Sequence, residues 1–136
     1  NECPKGMRLT AWNGGMSVIN PDERIDPRNQ RAPKNKDHYA NLKAQAWFSL
    51  RARFENAYKK KMGREYDATH IISLPSDLPY LEQLQDELCQ PHKKESGTGK
   101  VLVDKQPDGA QSPNLADAVV MAFFPLSAKA SILDVL

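Results

Sequence analysis

The sequence predicts one α/β domain, built from helices and short strands that alternate along the chain. Its 136 residues are enough for a single core and too few for two. A hydrophobic content of 40% and a charged content of 26% are ordinary for a soluble globular protein. Apolar residues recur at helical spacing in segments 39–61, 79–89 and 113–124, while short apolar runs at 7–12, 70–74 and 100–105 indicate strands. We therefore expect residues 1–136 to form one domain.

The longest predicted helix covers residues 39–61. Asp37 is a suitable N-cap, the three lysines at 59–61 suit the negative end of the helix dipole, and Gly63 is expected to end the helix. A stripe with this spacing is typical of a core-facing helix, and its members are Leu42, Ala46, Leu50, Phe54 and Ala57.

Two loops and one helix start are also predicted. Strand 7–12 runs into a turn at Asn13-Gly14-Gly15, and the polar segment 20–37, which has three prolines, is expected to be a flexible loop. Ser112 is predicted to cap the last helix, with Pro113 at its first position.

Charge is distributed unevenly along the chain. Residues 24–64 contain twelve Lys/Arg against three Asp/Glu, a balance of +9, whereas residues 65–136 contain five against eleven, a balance of −6. The basic stretch fits either a DNA backbone contact or a solvated helix face beside a loop. The candidates for DNA contacts are Arg51, Lys59, Lys60, Lys61 and Arg64.

Membrane and zinc proteins are not indicated. No apolar run approaches the roughly 20 residues that span a bilayer, and no signal peptide is recognisable, so we expect a cytoplasmic protein without a membrane partner. Cys3 and Cys89 match no metal-ligand spacing, which favours two incidental reduced thiols. The first residue is Asn1 rather than Met, and we expect the chain to be a piece of a longer protein.

Asp117 is the most informative residue. It is the one carboxylate of the apolar helix 113–124, which we expect to be buried on several sides. A buried carboxylate is costly unless a metal ion, an arginine or backbone donors compensate its charge. These considerations leave a structural role and a metal-ligand role open. We expect Asp117 at a polar opening near the end of strand 100–105.

Four segments, in order, resemble the nuclease domain of phage terminase large subunits. Residues 112–123 (Ser-Pro-Asn-Leu-Ala-Asp-Ala-Val-Val-Met-Ala-Phe) are similar to its closing motif, with Asn114 where the family usually has Asp. Residues 39–47 with Leu50-Arg51 resemble its motif helix, and residues 100–105 resemble the strand before the closing motif. With Asn13-Gly14-Gly15, the resemblance extends from about residue 7 to residue 124.

The resemblance implies an RNase H-like fold, a mixed sheet flanked by helices. It also implies an active site of three acidic residues that hold two Mg²⁺ or Mn²⁺ ions. Asp117 corresponds to the last of these acids. The other two would lie on leading strands that precede residue 7, which this chain would lack. Asp104, and after it Asp67, are the remaining candidates for metal ligands within the chain.

The function implied is that of a metal-dependent DNA endonuclease, which cuts concatemeric phage DNA during packaging in the bacterial cytoplasm. The implied partners are double-stranded DNA, the portal protein and the small terminase subunit. No Walker-type phosphate loop is present, so ATPase activity would belong to a separate domain, and the chain alone is expected to be inactive. Two alternatives are open: an inactive prophage remnant that binds DNA or portal protein, and another RNase H-like nuclease such as a junction resolvase.

Overall fold

The fold is organised around one 20-residue helix, which contacts both the sheet and the last helix. The computed structural model describes residue 6, residues 10–124 and residue 126. The elements in chain order are α1 (Asn35–His38), α2 (Leu42–Lys61), α3 (Leu81–Cys89), β1 (His92–Glu95), β2 (Val101–Asp104), a 3-10 turn (Pro107–Gly109) and α4 (Asn114–Phe123).

The start of α2 differs from the prediction and its end agrees with it. The N-cap is Asn41, whose Oδ1 accepts from the Ala44 N–H at 3.0 Å. Asp37 as N-cap is wrong, because Asp37 lies in the separate short helix α1 and the chain is extended at Tyr39. The predicted stop at Gly63 is confirmed, because this residue takes a left-handed φ of +67° directly after the helix.

Strands β1 and β2 form an antiparallel hairpin. The predicted strand at 100–105 is confirmed as β2, but β1 lies in the polar segment 90–100, outside the three predicted strands. All four residues of β1 are exposed, so no apolar alternation revealed the strand. Of the predicted mixed sheet, the described residues contain this two-stranded antiparallel part and one parallel bridge, between Tyr39 and Val101.

Other predicted elements also differ. Residues 70–74 are not a strand. Side chains of α2 satisfy two of their carbonyl groups, with Asn56 donating to His70 at 2.7 Å and Arg53 donating to Ile71 at 3.0 Å. Segment 20–37 folds into successive turns and ends within α1, and its flexibility stays a prediction. Of the predicted strand 7–12, residues 7–9 lie outside the described part of the chain, and residues 10–12 are not in a strand.

One cluster of buried side chains joins the elements, and α4 contributes only one face to it. Ala116 and Val120, four residues apart, are buried, whereas Met121 on another face is 43% exposed. The prediction that this helix is buried on several sides is therefore wrong for the described residues, since α2 and α3 cover a single face. The cluster consists of Ala44, Ala46, Trp47, Leu50, Ile72, Leu84, Val103, Ala116 and Val120.

Candidate functional site

Asp117 lies in the first two turns of α4 and is held by a cation from the end of the hairpin. Its Oδ2 accepts a hydrogen bond from Lys105 Nζ at 2.5 Å, and the two side chains are 17% and 24% exposed. Lys105 follows directly after β2, so the ion pair joins the sheet end to α4. The cost of a half-buried carboxylate is thus compensated by lysine, rather than by the arginine or backbone donors considered from the sequence.

Glu87 of α3 contacts the first turn of α4. The Glu87 Oε2 atom accepts from the backbone N–H of Ala116 at 3.0 Å, which satisfies a donor that the first turn of α4 leaves open. This bond, above all, holds the pKa of the Glu87 carboxyl below its ordinary value. The N-cap of α4 is Pro113 and makes no side-chain cap bond, so the predicted capping by Ser112 is replaced by an acid from another helix.

Asp104 contacts a different part of the molecule from Asp117. The Lys94 ammonium on β1 donates to Asp104 at 2.6 Å, and the Gln106 N–H donates at 3.0 Å. These contacts, chiefly that of Lys94, lower the pKa of the Asp104 carboxyl. The structure therefore gives Asp104 and Asp117 separate lysine partners.

A complete metal site is not present in the described part of the chain, where no cluster of three or more His, Cys, Asp and Glu could hold an ion. Asp67 accepts from the backbone and hydroxyl groups of Thr69, at 2.9 and 2.6 Å, and these bonds lower its pKa. Asp67 thus stabilises its own turn. Asp117 supplies one carboxylate.

A cavity of about 390 Å³ opens beside the Lys105–Asp117 pair. The turn at Asn13-Gly14-Gly15 packs over the start of α2 to form one wall, with backbone N–H groups of Leu42 and Lys43 donating to the carbonyls of Met16 and Gly14. The lining residues are Trp12, Asn13, Gly14, Gly15, Asn41, Lys43, Lys105 and Met121. A larger cavity of about 490 Å³, between α2, α3 and the hairpin, has no acidic residue in its lining.

The predicted DNA-binding residues divide between two places. Arg51, in the middle of α2, pairs with Glu55 at 3.2 Å. The other four residues are exposed at the C-terminal end of α2, and they are Lys59, Lys60, Lys61 and Arg64. The rise of an α-helix, about 1.5 Å per residue, puts this end of α2 roughly 27 Å from Lys43 beside the cavity.

Sequence reasoning missed Lys105, Lys43 and Glu87. Lys105 had a usable signal, because it is a cation at the end of the strand predicted to lie near Asp117. Glu87 and Lys43 had none, since each is one of several charged residues on a predicted helix, and only the packing selects them.

Each helix in the described part of the chain is too short or too polar to span a bilayer. No protein-family model and no curated protein matches the sequence. Solved structures do match. A mutant nuclease domain of the large terminase subunit gp2 of bacterial virus Sf6, with manganese and beta-thujaplicinol, has a TM-score of 0.72 and 28% identity. That comparison covers 85% of this chain and 52% of the matched chain.

Two further structures of the same viral domain agree with this match. The domain without a stated mutation and a mutant with calcium each have a TM-score of 0.71, with 29% identity over 83% of this chain and 51% of theirs. This chain therefore spans about half the length of the domains it matches. The chain has the α/β, RNase H-like fold of part of a phage terminase nuclease domain, and the resemblance carried by its sequence motifs is confirmed.

Proposed function

We propose that this chain is part of a metal-dependent DNA endonuclease that cuts concatemeric phage DNA during packaging. The observation that carries the proposal is the position of Asp117, a half-buried carboxylate held on α4 beside the end of β2, in a fold that matches a terminase nuclease domain. Asp117 is, in this proposal, the last of three acidic ligands.

The metal would be Mg²⁺ or Mn²⁺, and the residues present suit part of its site. Carboxylate oxygens are preferred ligands of such hard ions, and matched domains were solved with manganese or calcium. One carboxylate does not complete a two-metal site. We therefore infer that the other two acids belong to the half of the domain that this chain does not span. When bound, such ions activate water and stabilise the leaving oxygen of a phosphodiester.

Lys105 has a defined role in this proposal. Its ammonium compensates the Asp117 charge at 2.5 Å and keeps the carboxylate directed towards the end of β2. Asp104 remains a second candidate for a metal ligand. Its firm pairing with Lys94 makes it the weaker one.

Double-stranded DNA would be contacted through its phosphates, without readout of base sequence. The exposed cluster at the end of α2 (Lys59, Lys60, Lys61 and Arg64) and Arg51 are the proposed contacts. The separation of roughly 27 Å between the cluster and Lys43, beside the cavity, corresponds to about eight base pairs at 3.4 Å each.

Portal protein and the small terminase subunit would be partners of the intact protein, which would act in the cytoplasm of the bacterial host. The comparisons do not favour either alternative, the inactive binding module or the junction resolvase.

The test is cleavage of supercoiled plasmid by the complete nuclease domain with Mn²⁺. Asp117→Asn should abolish cleavage, because it removes a metal ligand while keeping the size of the side chain. Asp86→Asn, an exposed acid on α3, is the matched control and should cut normally. Cleavage by Asp117→Asn at the rate of the control would refute the assignment of the site.

A further inference from the structure

The cavity between the Asn13-Gly14-Gly15 turn and α4 has a lining in which the available polar side chains are donors. Asn13 uses its Oδ1 to accept from the Gly15 N–H at 3.0 Å, and Asn41 uses its Oδ1 to accept from the Ala44 N–H at 3.0 Å. A backbone N–H can only donate, so the amide oxygen of each asparagine must be the atom that faces this N–H group. Each amide NH₂ group is then left to bind something else.

Several backbone acceptors around the cavity are already occupied. Four lining carbonyls accept hydrogen bonds within the chain, so they do not add acceptors to the cavity. They belong to Asn13, Gly14, Asn41 and Lys105, and their donors are Met16, Lys43, Gln45 and Gln90.

The charged side chains that line the cavity favour an anionic ligand. Lys43 is half-buried and makes no ion pair with any described residue, although the chain has nearly as many acids as bases. Lys105 is the second ammonium, and its charge is balanced by Asp117. The cavity and its adjoining ion pair therefore carry one net positive charge.

The Trp12 indole is the remaining donor. Its Nε1 is shielded from water and has no hydrogen-bond partner among the described residues. An unpaired buried N–H costs free energy, which an acceptor in the cavity would recover. The Trp12 ring and the Lys43 side chain also pack closely against Gly14. A Cβ atom added at Gly14 would lie only 3.2 Å from the Trp12 ring and 3.0 Å from the Lys43 Cβ, so a larger residue would not fit there without a shift.

We propose that this cavity is a phosphate-binding subsite, in which Lys43, Lys105, the two amides and the Trp12 indole bind a phosphate group of a DNA strand. A phosphate offers several acceptor oxygens and no donor when fully ionised, so it matches a donor lining. The volume of about 390 Å³ lies within the range of roughly 300–1,000 Å³ that is usual for ligand sites. The role of the subsite rests on the proposed nuclease function: it would hold the strand beside Asp117.

The test uses inorganic phosphate as the probe, without divalent ions and at constant ionic strength. The chain has two tryptophans, so ¹H–¹⁵N spectra contain two indole resonances, which Trp47→Phe assigns. Trp47 lines the other cavity and is the internal control. Phosphate should shift the Trp12 indole resonance saturably and leave that of Trp47 in place.

Two lysine variants distinguish specific binding of phosphate in this cavity from non-specific attraction of phosphate to positive charge. Lys43→Met keeps the alkyl stem and should weaken phosphate binding about tenfold or more, as expected for loss of a charged hydrogen bond. Lys100→Met, another half-buried lysine that forms no ion pair with a described residue, lies outside the cavity lining and should leave the affinity unchanged. Equal shifts of both indole resonances, no shift of either, or equal affinities of the two variants would overturn the proposal.

Short duplexes then distinguish the source of the phosphate. A shift of the Trp12 resonance with 5′-hydroxyl duplex supports a backbone phosphodiester, and a shift that needs a 5′-phosphate supports a strand end. No shift with either duplex overturns the DNA role. Because these titrations contain no divalent ion, their failure is separate from failure of the cleavage test with Asp117→Asn.

Discussion

Lys105 Nζ and Asp117 Oδ2 lie 2.5 Å apart and form a half-buried ion pair between the end of β2 and the first two turns of α4. The five other salt bridges of the described residues each include a side chain that is 59% or more exposed. Exposed pairs contribute little to stability, whereas removal of one partner from a shielded pair leaves an uncompensated charge. This pair therefore positions Asp117.

Lys105→Met should lower the free energy of unfolding by about 1–3 kcal/mol, because it leaves the Asp117 carboxylate half-buried without its donor. Lys94→Met is the matched control, since its pair with Asp104 is 59% and 26% exposed, and it should cost less than about 1 kcal/mol. Urea unfolding measures both changes. A double variant with Asp117→Asn should recover part of the loss. Equal costs for the two lysine variants would contradict a positioning role.

The hydrogen bond between Glu87 and Ala116 predicts that the stability of the protein falls at acid pH. The folded pKa of Glu87 is held below 4.5, first by the Ala116 N–H, so its contribution to stability is complete above pH 4.5 and is lost as pH falls through the folded pKa. Glu87→Ala should therefore lower Tm at pH 7, and its difference from the wild type should shrink below pH 4.5. Glu82→Ala, an exposed acid in the same helix, should show a smaller and flatter difference. Thermal unfolding from pH 3 to 7 measures this, and matching profiles for the two variants would exclude capping of α4 by Glu87.

The chain alone should show little or no divalent-dependent cleavage of plasmid DNA, because its described residues supply one positioned carboxylate and no cluster of ligands. Gel analysis with Mg²⁺ and Mn²⁺ measures this. Robust cutting by the chain alone, lost in Asp117→Asn, would mean that further ligands lie within these residues, and Asp104→Asn would then be the next variant to assay.

DNA binding should be insensitive to sequence and strongly dependent on salt. If about five basic residues contact phosphates, log K should fall against log salt with a slope on the order of −4 to −5. Reversal of the four exposed residues Lys59, Lys60, Lys61 and Arg64 to Glu should abolish binding without unfolding the chain. A double reversal of Lys34 and Lys36, which pair with Asp22, is a control for a general charge effect and should weaken binding less. A slope near zero would remove the duplex-binding proposal.

The elements that could be predicted from the sequence are those that bury apolar side chains at regular spacing. Helix α2 and strand β2 bury apolar residues at regular spacing, so their positions were readable, and four ordered motifs indicated the fold. Strand β1 was missed because all four of its residues are exposed and its stability comes from pairing with β2. Residues 70–74 read as a strand because they are apolar, but their partners are side chains of α2.

The candidate site was only partly predictable for the same reason. Asp117 is conspicuous as the one acid in an apolar helix, so composition alone identified it. Lys105 contacts Asp117, which is 12 positions away, and Glu87 contacts Ala116 of the same helix, which is 29 positions away. Such contacts depend on how β2 and α3 pack against α4.

Metal rescue of an Asp117→Cys variant of the complete nuclease domain tests most directly whether Asp117 is a metal ligand. A thiolate is a soft ligand that binds Mg²⁺ poorly and accepts softer ions. We predict that plasmid cleavage with Mg²⁺ is lost in this variant and is restored, at least in part, by Mn²⁺ or Cd²⁺. The same ions should give no such selective gain in an Asp86→Cys control. Full cleavage by Asp117→Cys with Mg²⁺ would contradict the claim that Asp117 is a metal ligand.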